Sequence, residues 1–270
     1  MSNRVVQMVE RALSLPGVSG WRQRHFDDGF RAGRFVGVCR GVYDTYEQAV
    51  NAAPESGPLG YDHEGPAAMY RDRIDRVFPS DYPMMLWLAK AFASGSARVL
   101  DLGGHVGISY YAFQPYVDYP AKLTWEVLDV PTVAKAGREL ARSRDSRQSL
   151  GFVDSFDAAA NVDVLFTAGC VQYLEQTLAE KLQTLAKRPE WVLVNLLPLH
   201  EERGFWTVQS IGEAFCPYRI ERRAAFFEAI WAVGYDIVDS WENPEKSCII
   251  MFDTAHTVRG YVGAAFRLRH

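Results

Sequence analysis

The sequence predicts an α/β fold: a doubly wound, mostly parallel, seven-stranded sheet ending in an antiparallel hairpin, preceded by a mainly helical N-terminal cap. Three observations predict it. From about residue 83 onward, apolar strand-like runs alternate with amphipathic helical segments. Most of these runs are continuously apolar, as strands buried on both faces are. The segments joining them are short and rich in Gly, Pro and Asp. Residues 1–82 read as the cap and 83–270 as the main domain.

The elements follow in order. Val5, Val6, Val9, Ala12 and Leu13 make one face of a short helix, which Pro16-Gly17 is expected to stop. A second helix fits Tyr43–Ala53, ahead of Pro54. The stretch S-G-P-L-G-Y-D-H-E-G-P reads as a loop, and Ala67–Val77 as helix. Met84, Met85, Leu88, Ala89 and Phe92 line a helix leading to Gly95. Strands are expected at Arg98–Leu102, Leu123–Asp129, Gly151–Asp154, Val162–Phe166 and Trp191–Leu196. Helices are expected at Val106–Tyr116, Thr132–Arg144, Leu174–Ala186 and Arg222–Ala232. The closing hairpin pairs Tyr235–Trp241 with Ser247–Asp253 across a turn at Asn243-Pro244-Glu245-Lys246. Pro198–Glu221 reads as a long loop rich in aromatics.

Composition narrows the function classes. The chain has 270 residues, 48% hydrophobic and 23% charged, as a globular protein with a sizeable core has. A net charge of −4 gives no electrostatic argument for nucleic acid. The N-terminus carries no apolar block of signal-peptide type, and no apolar run is long enough to span a bilayer. Cys39, Cys170, Cys216 and Cys248 are scattered, which argues against a zinc or disulfide framework and fits a reducing cytoplasm. The histidines show no metal-ligand spacing, so no metal is expected. Nothing sets the oligomeric state, and a homodimer is compatible with the sequence.

The chemistry-bearing stretch is V-L-D-L-G-G-H-V-G, residues 99–107. It leaves an apolar strand for a glycine-rich turn before a helix, where open α/β sheets bind ligands. The spacing is not G-x-G-x-x-G, and Asp101 ahead of the turn would repel a pyrophosphate. A cationic, phosphate-free cofactor suits it better, and S-adenosylmethionine carries a sulfonium and an ammonium. Asp129, 26 residues after Gly103, ends the next strand, where an acid receives ribose hydroxyls. A plain helix N-cap is the alternative role, since Pro131 starts a helix there. Glu126, inside the strand, is a weaker competitor. Asp154, Ser155 and Phe156 end the following strand, offering either polar and apolar contacts to adenine or a simple turn.

D-L-G-G-H-V-G, D-V-P, V-D-V-L-F-T-A-G and W-V-L-V-N-L-L-P together resemble the class I S-adenosylmethionine-dependent methyltransferases, whose fold is Rossmann-like. D-V-P-T-V resembles the D-L-P-x-V stretch of small-molecule O-methyltransferases. G-V-Y-D-T-Y-E-Q-A, V-Q-Y-L and P-Y-R-I are similar to a family of bacterial methyltransferases linked to surface-polysaccharide or secondary-metabolite pathways. The resemblance implies that Asp101, Gly103 and Gly107 hold the methionine part of the cofactor and Asp129 its ribose. Gly104, His105, Val130 and Gly169 join them as cofactor contacts. The family pattern prefers glycine where His105 stands.

Methyl transfer needs alignment above all, and a general base only when the acceptor must lose a proton. His200, after the fifth strand, is one candidate base, oriented by Glu201 or Glu202; an exposed loop histidine is its bland alternative. His105 is the other, either as base, as ligand contact or as a structural residue. Gln172 stands where related enzymes carry a histidine and would orient substrate. His63, Trp206, Gln209 and Tyr218 are further substrate candidates, the aromatics serving equally well as core. The expected function is O-methylation of a sugar or natural-product intermediate. An N- or carboxyl-methyltransferase without a base, and a non-catalytic S-adenosylmethionine-binding protein, stay open.

Overall fold

In the computed structural model, residues 16–62 and 73–269 are described. The predicted strands assemble around the glycine turn. β1 spans Val36–Tyr43, β2 Arg98–Leu102, β3 Thr124–Leu128, β4 Leu150–Val153, β5 Val164–Ala168, β6 Trp191–Leu197, β7 Leu199–His200, β8 Phe205–Ile211, β9 Phe215–Arg222, β10 Tyr235–Cys248 and β11 Val258–Leu268. The main sheet has seven strands in the order β10-β11-β6-β5-β2-β3-β4. β2 to β6 are mutually parallel, while β11 runs antiparallel to both β6 and β10. The chain winds outward one way through β3 and β4 and the other way through β5 and β6. The order therefore reverses between β2 and β5, directly beside the glycine turn.

Alternation along each strand divides the core between the two faces. Val99, Val164, Phe166 and Leu193 point to one face, against Met84 and Leu88 of α3 (Tyr82–Ala93) and Tyr110 of α4 (Ile108–Phe113). Leu100, Leu165, Val192 and Val194 point to the other, against Phe226 and Ile230 of α7 (Arg223–Ala232). α5 (Pro131–Arg144) starts on Pro131, whose missing N–H the first turn does not need. α6 (Leu178–Thr184) is shorter than its apolar periodicity suggests, because a capping box fixes its start. The Thr177 hydroxyl accepts from the Glu180 amide (3.2 Å), and the Glu180 carboxylate accepts from the Thr177 amide (2.7 Å).

Pro16 opens α1 (Pro16–Arg31), again as a first-turn proline. The helix expected over 5–13 lies outside the described residues, as does most of the one expected over 67–77. The Pro198–Glu221 segment is not a loop. β8 and β9 form an antiparallel hairpin there, turning at Gly212 (φ 98°), and β1 and β7 complete a second sheet in the order β1-β8-β9-β7. The N-terminal region thus carries α1, α2 (Tyr46–Ala52) and a strand that the sequence reading missed, paired with β8 about 170 residues on. Finally, Asn243-Pro244-Glu245-Lys246 is not the hairpin turn. It is an irregularity inside β10, between the pairs Asn243↔Tyr261 and Ser247↔Arg259, and the chain reverses after Cys248 instead. Pro244 is tolerated because β10 is the edge strand, and Asn243 is buried and hydrogen-bonded rather than turning. Among the described residues no helix is long and apolar enough to cross a membrane, and no cluster of His, Cys, Asp and Glu could hold a metal ion.

Candidate cofactor site at the glycine turn

β2 ends with Leu102, whose carbonyl accepts from the Thr167 hydroxyl (2.9 Å). The turn then folds tightly: the Gly103 amide donates to the Leu128 carbonyl (2.8 Å), and the Gly107 amide to that of Gly104 (3.0 Å). Two glycines are dictated by close approach. A Cβ on Gly103 would lie 2.3 Å from that of Cys170, and one on Gly104 2.4 Å from the Asp101 carboxyl carbon. His105 takes a left-handed backbone (φ 57°), a conformation that favours glycine. An L-residue spends about 1–2 kcal/mol in that conformation. The His105 amide is held in return by the Asp129 carboxylate at 2.8 Å.

Two acids bracket this turn. Asp101 is 1% exposed, and it accepts from the Trp125 indole at 3.2 Å. Burial pushes its pKa up to about 8, the Trp125 bond opposing and the Asp129 charge adding to the rise. Asp129 accepts the His105 amide on one oxygen and the Val130 amide (2.8 Å) on the other. Burial raises its pKa too, against those two amides and the nearby His105 ring. Among the described residues neither acid faces a lysine or arginine. Desolvated carboxylates without a counter-ion favour a cationic ligand. Each Asp129 oxygen keeps lone-pair capacity for a ligand hydroxyl.

The loop after β5 forms the third wall. The Gly169 amide donates to the Asn195 carbonyl (2.9 Å), and Cys170 packs onto Gly103. Gln172 is 5% exposed, and its Oε1 has no hydrogen-bond partner among the described residues. The Tyr61 hydroxyl donates to that of Tyr173 (3.1 Å), which donates to Gln209 Oε1 (2.7 Å). Tyr218 packs edge-on against Tyr173 and shares a hydroxyl–hydroxyl bond of 2.9 Å with Tyr261. Gln209 and Tyr218, expected near substrate, thus belong to a tyrosine network covering the β5 loop.

Other expected residues lie elsewhere or are occupied. Trp206 is in the second sheet's core, beneath the Arg219 guanidinium at 4.5 Å. Asp154 is exposed and pairs with Arg138 (2.7 Å). The Ser155 hydroxyl accepts from the Asp157 amide (3.2 Å), and the Phe156 ring lies under Lys181. The His200 ring is held on both sides. Its Nδ1 accepts from the Glu202 and Arg203 amides (3.1 and 3.3 Å), so Nε2 carries the proton and donates to the Ala255 carbonyl (3.0 Å). His63 lies outside the described residues.

The sequence reading missed two residues. Asp62 accepts from the Thr132 amide (3.0 Å) at the start of α5, adding a third acid to the same edge. Asn195 is a buried hub, donating to the Ser80 carbonyl (2.7 Å) while its Oδ1 accepts from Trp241 (3.0 Å) and Asn243 (2.9 Å). No local signal marks either residue, though an asparagine inside the apolar run W-V-L-V-N-L-L is a hint of the second.

Fold and site define a doubly wound α/β protein with an acid-bracketed glycine turn at the point where its strand order reverses. No family model matches the chain, and no curated protein matches it. Among solved structures it is similar to the CcbJ methyltransferase of Streptomyces caelestis: 16% identity over 78% of this chain and 100% of that one, TM-score 0.44. It is similar also to the N-terminal domain of EvdMO1, solved with SAH bound: 13% identity over 72% and 83%, TM-score 0.49. A third is the Burkholderia thailandensis 1,6-didemethyltoxoflavin-N1-methyltransferase, with 16% identity over 79% and 94% and a TM-score of 0.44. Superpositions this loose carry no weight beside the topology and the acids themselves.

Proposed function

We propose that the chain is an S-adenosylmethionine-dependent methyltransferase acting on a small molecule. The observation that carries this reading is the pair Asp101 and Asp129: both desolvated, facing no lysine or arginine among the described residues, on either side of a tightly packed glycine turn. S-adenosylmethionine supplies a methyl group already activated by positive sulfur. Asp129, fixed by two backbone amides, would receive the ribose hydroxyls. Asp101 and the turn would face the methionine end, where a cation relieves the cost of a buried carboxylate. The chain's remaining task is alignment, worth on the order of 7–11 kcal/mol in favourable cases.

Within this reading the acceptor atom is an oxygen of a sugar or natural-product intermediate. The resemblance of D-V-P-T-V to small-molecule O-methyltransferases supports that choice. His105 is the preferred base, since its backbone is pinned to Asp129 whereas both His200 ring nitrogens are taken. The occupied His200 also favours a second reading, an amine acceptor that needs no base. The reading takes the protein as cytoplasmic, with residues 1–82 capping the domain 83–270. Calorimetry with S-adenosylmethionine and S-adenosylhomocysteine tests it. Both should bind, and Asp129→Ala should weaken both by about 100-fold, the loss of two charge-assisted hydrogen bonds. Absence of binding by either ligand to the wild-type chain overturns it.

A further inference from the structure

Spacing keeps the four cysteines apart in sequence, yet the fold brings two together. Cys39 in β1 and Cys248 at the end of β10 are 209 residues apart, and their sulfurs lie 3.3 Å from each other. We propose that this pair is a covalent modification site: an intramolecular disulfide, closed by a peroxide or a small disulfide, that ties the second sheet to the terminal hairpin.

The geometry supports it from both sides. Cys39 forms a parallel bridge with Ile250, two residues past Cys248, so the two backbones already run side by side. Both sulfurs sit in one apolar cluster with Phe205, Tyr218, Ile220 and Val258. A disulfide places its sulfurs about 2.05 Å apart, so closure asks for a shift of about 1 Å, within reach of side-chain rotation. The other thiols do not compete: Cys170 packs on Gly103, and Cys216 belongs to a different cluster.

The chemistry sets the rate. Cys39 is 1% and Cys248 2% exposed. The neighbouring thiol and burial hold the Cys39 pKa well above its usual range, so the thiolate is scarce while the strands are closed. Reaction then runs through opening of β1, an edge strand of its sheet. Hydrogen peroxide converts one thiol to a sulfenic acid and releases water. The second sulfur displaces the hydroxyl, lost as a second water, as the S–S bond forms. Two thiols give up two electrons and two protons, and one peroxide becomes two waters. With a small disulfide, exchange releases two small thiols instead. The bond would form next to the candidate site, because Cys39 opposes Gln209 in register and Gln209 holds Tyr173 of the β5 loop.

The test treats the reduced, folded full chain with hydrogen peroxide, and separately with oxidised glutathione, then quenches with an alkylating agent. Before the quench, intact mass should fall by about 2 Da relative to the reduced chain. Tryptic digestion without reductant should join the peptide 35–40 to 247–259, and reductant should separate them. Thermal unfolding of the oxidised form should shift upward by about 5 °C or more, since the closed loop is long. Cys39→Ser and Cys248→Ser should each abolish the cross-link, while Cys170→Ser and Cys216→Ser keep it. Peptide mapping of the wild-type chain decides the matter even where a serine variant fails to fold. Stable sulfinic acids or glutathione adducts on these two residues, a bond through Cys170 or Cys216, or two thiols left intact would each overturn the proposal.

Discussion

The glycine-turn edge and the second sheet are assembled by opposite means. The edge draws its turn and both bracketing acids from one unbroken stretch, residues 99–131, and pins them with contacts such as His105–Asp129, 24 residues apart. The second sheet takes one strand from residues 36–43 and pairs it with residues 206–211, so each pair between those two strands spans over 160 residues. The first is polar and stores electrostatic cost in buried carboxylates. The second is apolar and aromatic, held by Phe30, Phe215, Trp206 and Val208. Proximity in sequence lets the glycine turn and its acids be specified locally, whereas the pairing of β1 with β8 has to come from far away.

The largest expected effect sharpens this contrast through pH. Asp101 has its pKa raised to about 8 by burial. The unfolded chain loses that proton near pH 4. Between those values the folded state holds more protons than the unfolded state, so stability falls as pH rises from about 4 to about 8. The ceiling on this one group's contribution is on the order of 5 kcal/mol. Asp101→Asn should flatten the slope, read as the difference between urea unfolding curves of the two proteins at pH 5 and pH 8. Parallel pH profiles would mean that Asp101 is solvated or paired. By the same linkage, a cationic ligand that recharges Asp101 should release protons on binding at pH 7, visible as a buffer-dependent enthalpy.

The next effect sets one buried polar residue of each region against the other. Asn195→Ala removes the partner of the Ser80 carbonyl, the Trp241 indole and the Asn243 amide at once. Leaving such groups unsatisfied should cost about 2–4 kcal/mol. Thr207→Val, in the second sheet, deletes a single hydroxyl bond to the Arg40 carbonyl (3.1 Å) and should cost about 1 kcal/mol. Denaturant midpoints at constant m measure both. Equal losses would place the two regions on the same footing.

What the sequence made legible follows the same division. β2 to β6, α5 and α7 lie within a few residues of their expected places, because each is a local pattern of apolar runs and periodic faces. The turn and its acids were legible too, since strand, acid and glycines are adjacent. The second sheet was not. The alternation in F-W-T-V-Q-S-I and F-C-P-Y-R-I-E-R is a strand signal, but length and aromatic content read equally as a loop, and nothing local names β1 as partner. Pro244 misled for a related reason: only its edge position, a property of the whole sheet, shows that it interrupts β10 without ending it. Asn195, Asp62 and the Cys39–Cys248 contact are likewise long-range.

The smallest effect separates two histidines that the sequence offers as equals. His200 follows the fifth parallel strand at the carboxyl edge of the sheet, which is why it invites a catalytic role. Its ring instead bridges the start of the 200–203 turn to the Ala255 carbonyl, with Phe205 edge-on at 5.9 Å. A ring whose lone pair already accepts two amides has none left for a substrate proton. His200→Ala should therefore cost about 1 kcal/mol of stability and leave turnover within about twofold, less than one tenth of the effect of removing a general base. His105→Ala should behave in the opposite way, changing turnover and its pH profile more than stability, because alanine still offers Asp129 the same backbone N–H. Steady-state kinetics on the two variants, beside their melting temperatures, reads the difference. A large loss of turnover in His200→Ala alone would move the proton transfer away from the glycine turn and toward the edge that β7 and β9 share.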